Sequence, residues 1–137
     1  SVFTDKEIFA KMLYDDKKID DIEYKIYCKW FYEFVKDIPV AGLIYVKTDP
    51  EICHNRVIKR KRKGEIIPLS YLQNCHKYHE DWLNNENLHI LSLNGNCDFI
   101  DKLTDNWVKS INIFVDSLSP ALHNFSWFSR SCDKKSK

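Results

Sequence analysis

Gly42-Leu-Ile-Tyr-Val46 runs directly into Lys47-Thr48-Asp49-Pro50-Glu51, and these ten residues decide the fold. The first half is short, continuously apolar and rich in β-formers, which is how a strand buried on both faces reads. In the second half Asp49 is a natural helix N-cap and Pro50 stands at the first helical position, where its missing N–H costs nothing. A buried strand therefore feeds a helix, one half of a βαβ unit.

Working outward, Pro68 opens a second helix to about Leu83, with Leu69, Leu72, Cys75, His79, Trp82 and Leu83 inward. His89 to Leu93 repeats the pattern of a short buried strand. Upstream, Thr4-Asp5-Lys6-Glu7 reads as a capping box opening a helix that carries Ile8, Phe9, Met12 and Leu13. Ile22, Ile26, Trp30 and Phe34 recur at helical spacing and predict an amphipathic helix. Pro39 and Gly42 bracket a break. Asp98 to Leu118 predicts a long helix with Phe99, Leu103, Trp107, Ile111, Phe114 and Val115 on one stripe, ended by Pro120. The order is α-α-β-α-α-β-α. One domain is expected over 1–118, with 119–137 a poorly ordered tail that has no clear period. Two apolar strands cannot cover their own faces and edges, so the expectation is the C-terminal part of a larger α/β protein.

Composition narrows the function. Lys+Arg 21 against Asp+Glu 20 gives a net charge of +1, which excludes a wholesale polybasic nucleic-acid binder. Hydrophobic residues at 44% exclude disorder throughout, and three glycines exclude collagen-like repeats. No apolar run has the length of a membrane span, and SVFTDKEIF lacks the profile of a signal peptide. Five cysteines without a CxxC pair read as free thiols of an intracellular, reducing compartment, cytoplasmic before organellar. Cys75, His76 and His79 are the nearest approach to a metal site, but three ligands without a distant partner pair are a weak signal.

The chemistry concentrates in Arg56-Val-Ile-Lys59-Arg60-Lys61-Arg62-Lys63, where six of eight residues are basic. Arg56 and Arg60 stand one helical turn apart and share a face. Arg62 follows, where Gly64 loosens the backbone before Glu65 and Pro68. A helix-loop-helix hairpin bearing three guanidinium groups makes a phosphate clamp, because the planar fork pairs bidentately with phosphate oxygens. The competing reading is a solvated basic face, or a patch for nucleic acid or an import receptor.

The stretch TDPEICHNRVIKRKRKGEIIPLSYLQNCHKYHEDWL, beginning at Thr48, resembles the lid region of the deoxynucleoside kinase family. That family includes deoxycytidine, deoxyguanosine, deoxyadenosine and insect-type multisubstrate kinases. The matching positions are Thr48, Pro50, Glu51, then Arg56, Arg60 and Arg62, then Pro68, Leu69, Tyr71, Leu72, His76, His79, Glu80 and Trp82. The resemblance covers about residues 1–115. It implies a P-loop-type parallel-sheet kinase fold, of which this chain is the C-terminal part, mostly helical with two short parallel strands.

The resemblance also implies roles. Arg56, Arg60 and Arg62 match the lid arginines that hold the donor phosphates and stabilise the transferring group. Glu65 matches the glutamate that bonds the acceptor's deoxyribose, although the loop to Pro68 is one residue shorter here. Ser1 would be the serine of an E/D-R-S motif. Asp5 matches the position that reads the base edge and Phe9 the aromatic that stacks on the base. Asp98 and Phe99 match the loop that holds the donor adenine, which is one residue longer here. Plainer readings stand beside these: Asp5 as a first-turn residue, Phe9 as core, Asp98 as an N-cap, and His76 and His79 as packing residues. Asp5 favours deoxycytidine or a purine deoxynucleoside, since a carboxylate accepts from an amino group whereas thymine offers a carbonyl and a methyl.

No G-x-x-x-x-G-K-[ST] loop occurs in the sequence, nor the family's upstream Glu that takes the 5′-hydroxyl proton. The expectation is an ATP-dependent deoxynucleoside kinase, with Mg²⁺ bound through the donor phosphates, a homodimer, away from membranes and nucleic acid. These 137 residues alone should be inactive. The alternative is a noncatalytic remnant or an interaction module using the basic run 56–63.

Overall fold

A computed structural model describes residues 1–38, 40–97 and 101–123, without the side chains of 101–104 and 119–123. The first helical run, α1, has three pieces: α-helical Val2–Thr4, π-helical Asp5–Ala10 and α-helical Lys11–Asp15. Its cap is Ser1, whose hydroxyl accepts from the Thr4 amide at 3.3 Å. Thr4 is thus already helical and caps nothing, and Glu7 accepts from Lys6 rather than reaching back. The expected capping box fails because a serine three residues earlier supplies the same chemistry. Ile8, Ala10 and Met12 face inward, while Phe9 and Leu13 are about two-fifths exposed (40% and 42%).

The second helix, α2, spans Asp21–Val35 and carries the capping box that α1 lacks: Asp20 accepts from the Ile22 and Glu23 amides, and Glu23 accepts from the Asp20 amide. Its buried side is not the aliphatic stripe. Ile22, Ile26, Trp30 and Phe34 are all more than half exposed. The aromatic face of Tyr24, Tyr27 and Phe31 packs on α1 instead, at the same helical spacing. Tyr24 stacks on Tyr14 at 4.3 Å, and Phe31 sits edge-on to Phe3 at 5.6 Å. Two stripes of equal periodicity compete on this helix, and ring-to-ring packing takes the one facing α1.

Strand β1 is Gly42–Lys47 and β2 is His89–Asn94, paired in parallel from Gly42↔His89 to Lys47↔Asn94. Between them run α3, Pro50–Arg60, and α4, Leu69–Asn84. One face of β1 meets α4. There Tyr45 stacks on His79 at 5.9 Å and the Lys47 ammonium reaches Glu80 at 2.5 Å. Ile44 and Val46, on the other face, are each 46% exposed, so β1 is not buried on both faces as expected. Leu93 of β2 is buried. Asp49 occupies the N-cap position of α3 without capping it. Its carboxylate accepts from Asn96 Nδ2 and its amide donates to Asn96 Oδ1, both at 2.8 Å. A two-point bond therefore ties the turn after β1 to the turn after β2.

The last helix, α5, spans Asp101–His123. The expected start at Asp98 lies outside the described residues, as does the tail from 124. Pro120 lies within α5 rather than ending it: proline removes one donor and strains the preceding turn, but its φ is helical. α5 continues past Leu118 to His123. Leu118 is buried, whereas Val115 is 45% exposed. The face Trp107, Ile111, Phe114, Leu118 follows the helix period, and Val115 falls one position off it.

Gly95 closes the site end of the sheet. Its amide donates to the Lys47 carbonyl at 2.7 Å, and a Cβ there would stand 2.1 Å from Thr48 Oγ1 and 3.0 Å from the Lys47 carbonyl. Gly95→Ala should destabilise the protein by about 1–3 kcal/mol through overpacking against backbone. A thermal melt checks this, and an unchanged midpoint would mean that the turn after β2 has slack.

Candidate functional site

The turn after α3 is built for a sharp reversal. Lys61 ends the helix with φ 50° and Gly64 has φ 80°, both left-handed. The Glu65 amide then donates to the Arg62 carbonyl at 3.1 Å. This reversal swings Glu65 back against the helix it has just left. Arg60 donates from Nε to Glu65 Oε2 at 3.1 Å and from Nη2 to Oε1 at 2.5 Å, a bidentate fork. Two residues expected to serve different substrates are thus each other's partner. Arg62 is exposed and makes no ion pair among the described residues.

Arg56, one turn earlier and half-buried, faces elsewhere. It donates from Nη1 to the Gly95 carbonyl at 2.8 Å and from Nη2 to the Cys97 carbonyl at 3.0 Å. The three guanidinium groups are therefore not gathered around one point. One grips the turn after β2, one grips Glu65, and one is in solvent. Asp98 and Phe99, expected to hold the donor adenine, directly follow that turn and lie outside the described residues.

The base-side candidates, Asp5 and Phe9, share the π-helical segment of α1. π-Turns are rare and concentrate at functional sites. Phe9 lines an open groove with Met12 and Leu13 of α1, Asp16 just after it, and Ser70 and Tyr71 of α4. The groove is formed because α4 packs against this segment, with Cys75 Sγ 4.0 Å from Met12 Sδ and Tyr78 donating to Asp15 at 2.7 Å. Asp5 is exposed, and its Oδ2 accepts from the Tyr27 hydroxyl of α2 at 2.7 Å. Tyr27 escaped the sequence reading. The signal that could have found it was the aromatic spacing 24, 27, 31 on α2.

Between β1 and α4, Lys47, with help from Tyr45, holds the Glu80 carboxyl below the usual carboxylate range against the opposing effect of burial. His79 Nδ1 lies 2.7 Å from the Cys75 carbonyl of its own helix, which ties down the ring. These contacts give His79 and Glu80 a packing role. No group of three or more metal-ligating side chains occurs among the described residues, and no described helix is long and apolar enough to cross a membrane.

Known proteins are similar to this chain in sequence. A family profile described as deoxynucleoside kinase matches residues 1–116. The probable deoxycytidine kinase of fowlpox virus is 46% identical over 110 residues, covering 74% of this chain and 46% of that protein. Deoxycytidine kinase of Homo sapiens is 34% identical over 133 residues, covering 86% of this chain and 51% of that protein. The mitochondrial deoxyguanosine kinase of Xenopus laevis is 35% identical over 114 residues, covering 72% and 43% respectively. The chain spans about half the length of the curated relatives it matches.

Proposed function

We propose, since the chain belongs to the deoxynucleoside kinase family, that the protein phosphorylates a 2′-deoxynucleoside at its 5′-hydroxyl with ATP. The chain's mostly helical build on two parallel strands suits the α/β P-loop kinase fold of that family. The observation that carries the reading is the reversal at Lys61 to Gly64. It brings Arg60, proposed for the phosphates, and Glu65, proposed for the deoxyribose, into one ion pair. A surface patch for nucleic acid would leave its cations free, whereas Arg56 holds the turn after β2 and Arg60 is paired at the surface with Glu65.

In this reading the acceptor lies in the groove with its base against Phe9 and its edge toward Asp5. Glu65 turns from Arg60 to the deoxyribose, which frees the Arg60 fork. Arg60 and Arg62 then neutralise the charge that develops on the transferring phosphoryl group. Most of phosphoryl-transfer catalysis consists of such positioning and neutralisation. The acceptor oxygen bonds to the γ-phosphorus as the bond to the ADP oxygen breaks. None of residues 1–137 is assigned the base that takes the hydroxyl proton. Arg56 and the turn 95–97 shape the donor side, and Asp98 and Phe99 hold the adenine. Mg²⁺ bound through the donor phosphates would supply further neutralisation; no group of three or more metal-ligating side chains occurs among the described residues.

Asp5, together with relatives named deoxycytidine and deoxyguanosine kinases, supports deoxycytidine or a purine deoxynucleoside as the acceptor. A homodimer belongs to the same proposal, and the outward stripe of α2 is an apolar face available to one. Free thiols at Cys28, Cys53, Cys75 and Cys97 support a reducing compartment, the cytoplasm by preference. The test is chromatographic. Full-length protein with ATP and Mg²⁺ should convert deoxycytidine or a purine deoxynucleoside to its 5′-monophosphate. No product from any of the four common deoxynucleosides, with the protein folded, would refute the reading.

A further inference from the structure

We propose that Tyr27 is a specificity-positioning residue: its hydroxyl holds one oxygen of the Asp5 carboxylate so that the other is presented to the amino group of the acceptor base. The inference rests on the reading of Asp5 as the base-facing carboxylate and adds the group that aims it.

An aspartate side chain has a soft final torsion, broad and nearly two-fold, so an unanchored carboxylate offers either oxygen over a range of planes. The Tyr27 hydroxyl removes that freedom by donating to Oδ2 at 2.7 Å across twenty-two residues of sequence. The anchor is itself held. The Tyr27 ring lies against Phe31 at 6.4 Å, Phe31 is buried, and Phe31 meets Phe3 edge-on at 5.6 Å. Burial first, and then Asp5, push the Tyr27 phenol well above its ordinary range, so it remains a donor at neutral pH.

The choice of a phenol has a consequence. A lysine or arginine in this place would spend the carboxylate's charge on an ion pair. A neutral donor fixes the geometry and leaves the charge for the ligand, where a hydrogen bond from an amino group to an ionised acceptor is strengthened. The nearest cation on the same segment, Lys6, is committed to Glu7 at 2.6 Å and lies over the Phe31 and Tyr32 rings. The same bond type occurs at Tyr14 to Asp21, away from Asp5, and supplies a control.

The experiment compares kcat/KM for the four deoxynucleosides in the full-length protein. In Tyr27→Phe, the preference for an amino-bearing base over thymidine should fall by about three- to tenfold, the worth of one neutral hydrogen bond. The loss should appear in the acceptor KM, with kcat and the KM for ATP within about twofold. Tyr14→Phe, which keeps the ring and loses only the bond to Asp21, should leave the preference unchanged. A purely structural role would lower turnover on all four nucleosides together and spare the ratio.

Asp5→Asn provides a second arm that does not depend on how well Tyr27→Phe folds. With Tyr27 donating to the amide oxygen, the NH₂ group turns to the base and should favour thymidine, whose edge offers a carbonyl. Adding Tyr27→Phe should abolish that inversion, because the amide can then turn freely. An unchanged ratio in Tyr27→Phe, or an Asp5→Asn preference that ignores Tyr27, overturns the inference while leaving Asp5 as a base reader. An unchanged ratio in Asp5→Ala removes the base-reading role itself.

Discussion

Arg60→Ala in the full-length protein should lower kcat at least tenfold and leave the fold intact. One lost charge contact at a transferring phosphoryl group is worth on the order of 2–4 kcal/mol of transition-state stabilisation. The structural loss is small. The Arg60–Glu65 pair lies on the surface, with 43% of the arginine side chain exposed, and exposed pairs contribute roughly 0–1 kcal/mol. The two effects therefore separate cleanly in steady-state kinetics paired with a melting curve. An unchanged kcat would remove Arg60 from the reaction, and a large fall in melting temperature with little change in turnover would make it a strut.

The second large effect is on base choice. A carboxylate facing a base must meet a donor or carry a desolvation cost of roughly 1–3 kcal/mol. Deoxycytidine and the purine deoxynucleosides present an amino or ring N–H there. Thymidine brings a 5-methyl group into the same region. The parent protein should prefer an amino-bearing base over thymidine by at least tenfold in kcat/KM. Asp5→Ala should narrow or reverse that preference by removing the charge and making room for the methyl. In the proposed reading Phe9, on the same π-helical segment and lining the groove, would supply the plane against which the base lies. A parent protein that already prefers thymidine would reduce Asp5 to a residue of the helix's first turn.

The middle of the chain was legible because its signals are local. Asp49-Pro50 marks a helix start, Gly64 a left-handed turn and Pro68 the next helix, and each acts within a few residues of itself. The two strands read as apolar runs and pair in parallel as expected. What stayed hidden depends on competition or distance. Ser1 and Thr4 are equivalent cap chemistries, and only the structure shows which one the backbone uses. Two stripes on α2 have the same period, and the choice between them is made by the aromatic rings of α1.

The site bonds are harder still to read. Arg56 to Gly95, Asn96 to Asp49 and Tyr27 to Asp5 each join residues more than twenty positions apart, and such bonds leave no periodic mark. The resemblance supplied the residues of the lid. It did not supply the fact that, in this structure, Arg56 is engaged with backbone and Arg60 with Glu65.

The central claim is that residues 56–68 form a lid closing over a deoxynucleoside and a nucleotide donor together. Hydrogen exchange of the full-length protein, with and without a bisubstrate analogue joining a deoxynucleoside 5′-oxygen to the phosphate chain of an adenosine polyphosphate, tests it most directly. The account predicts slowed exchange at the amides of 61–67 and of 94–97 when the analogue binds, and weaker protection at 61–67 in Arg60→Ala. An analogue that binds, displaced by ATP and by deoxynucleoside, yet leaves exchange at 61–67 unchanged would contradict it.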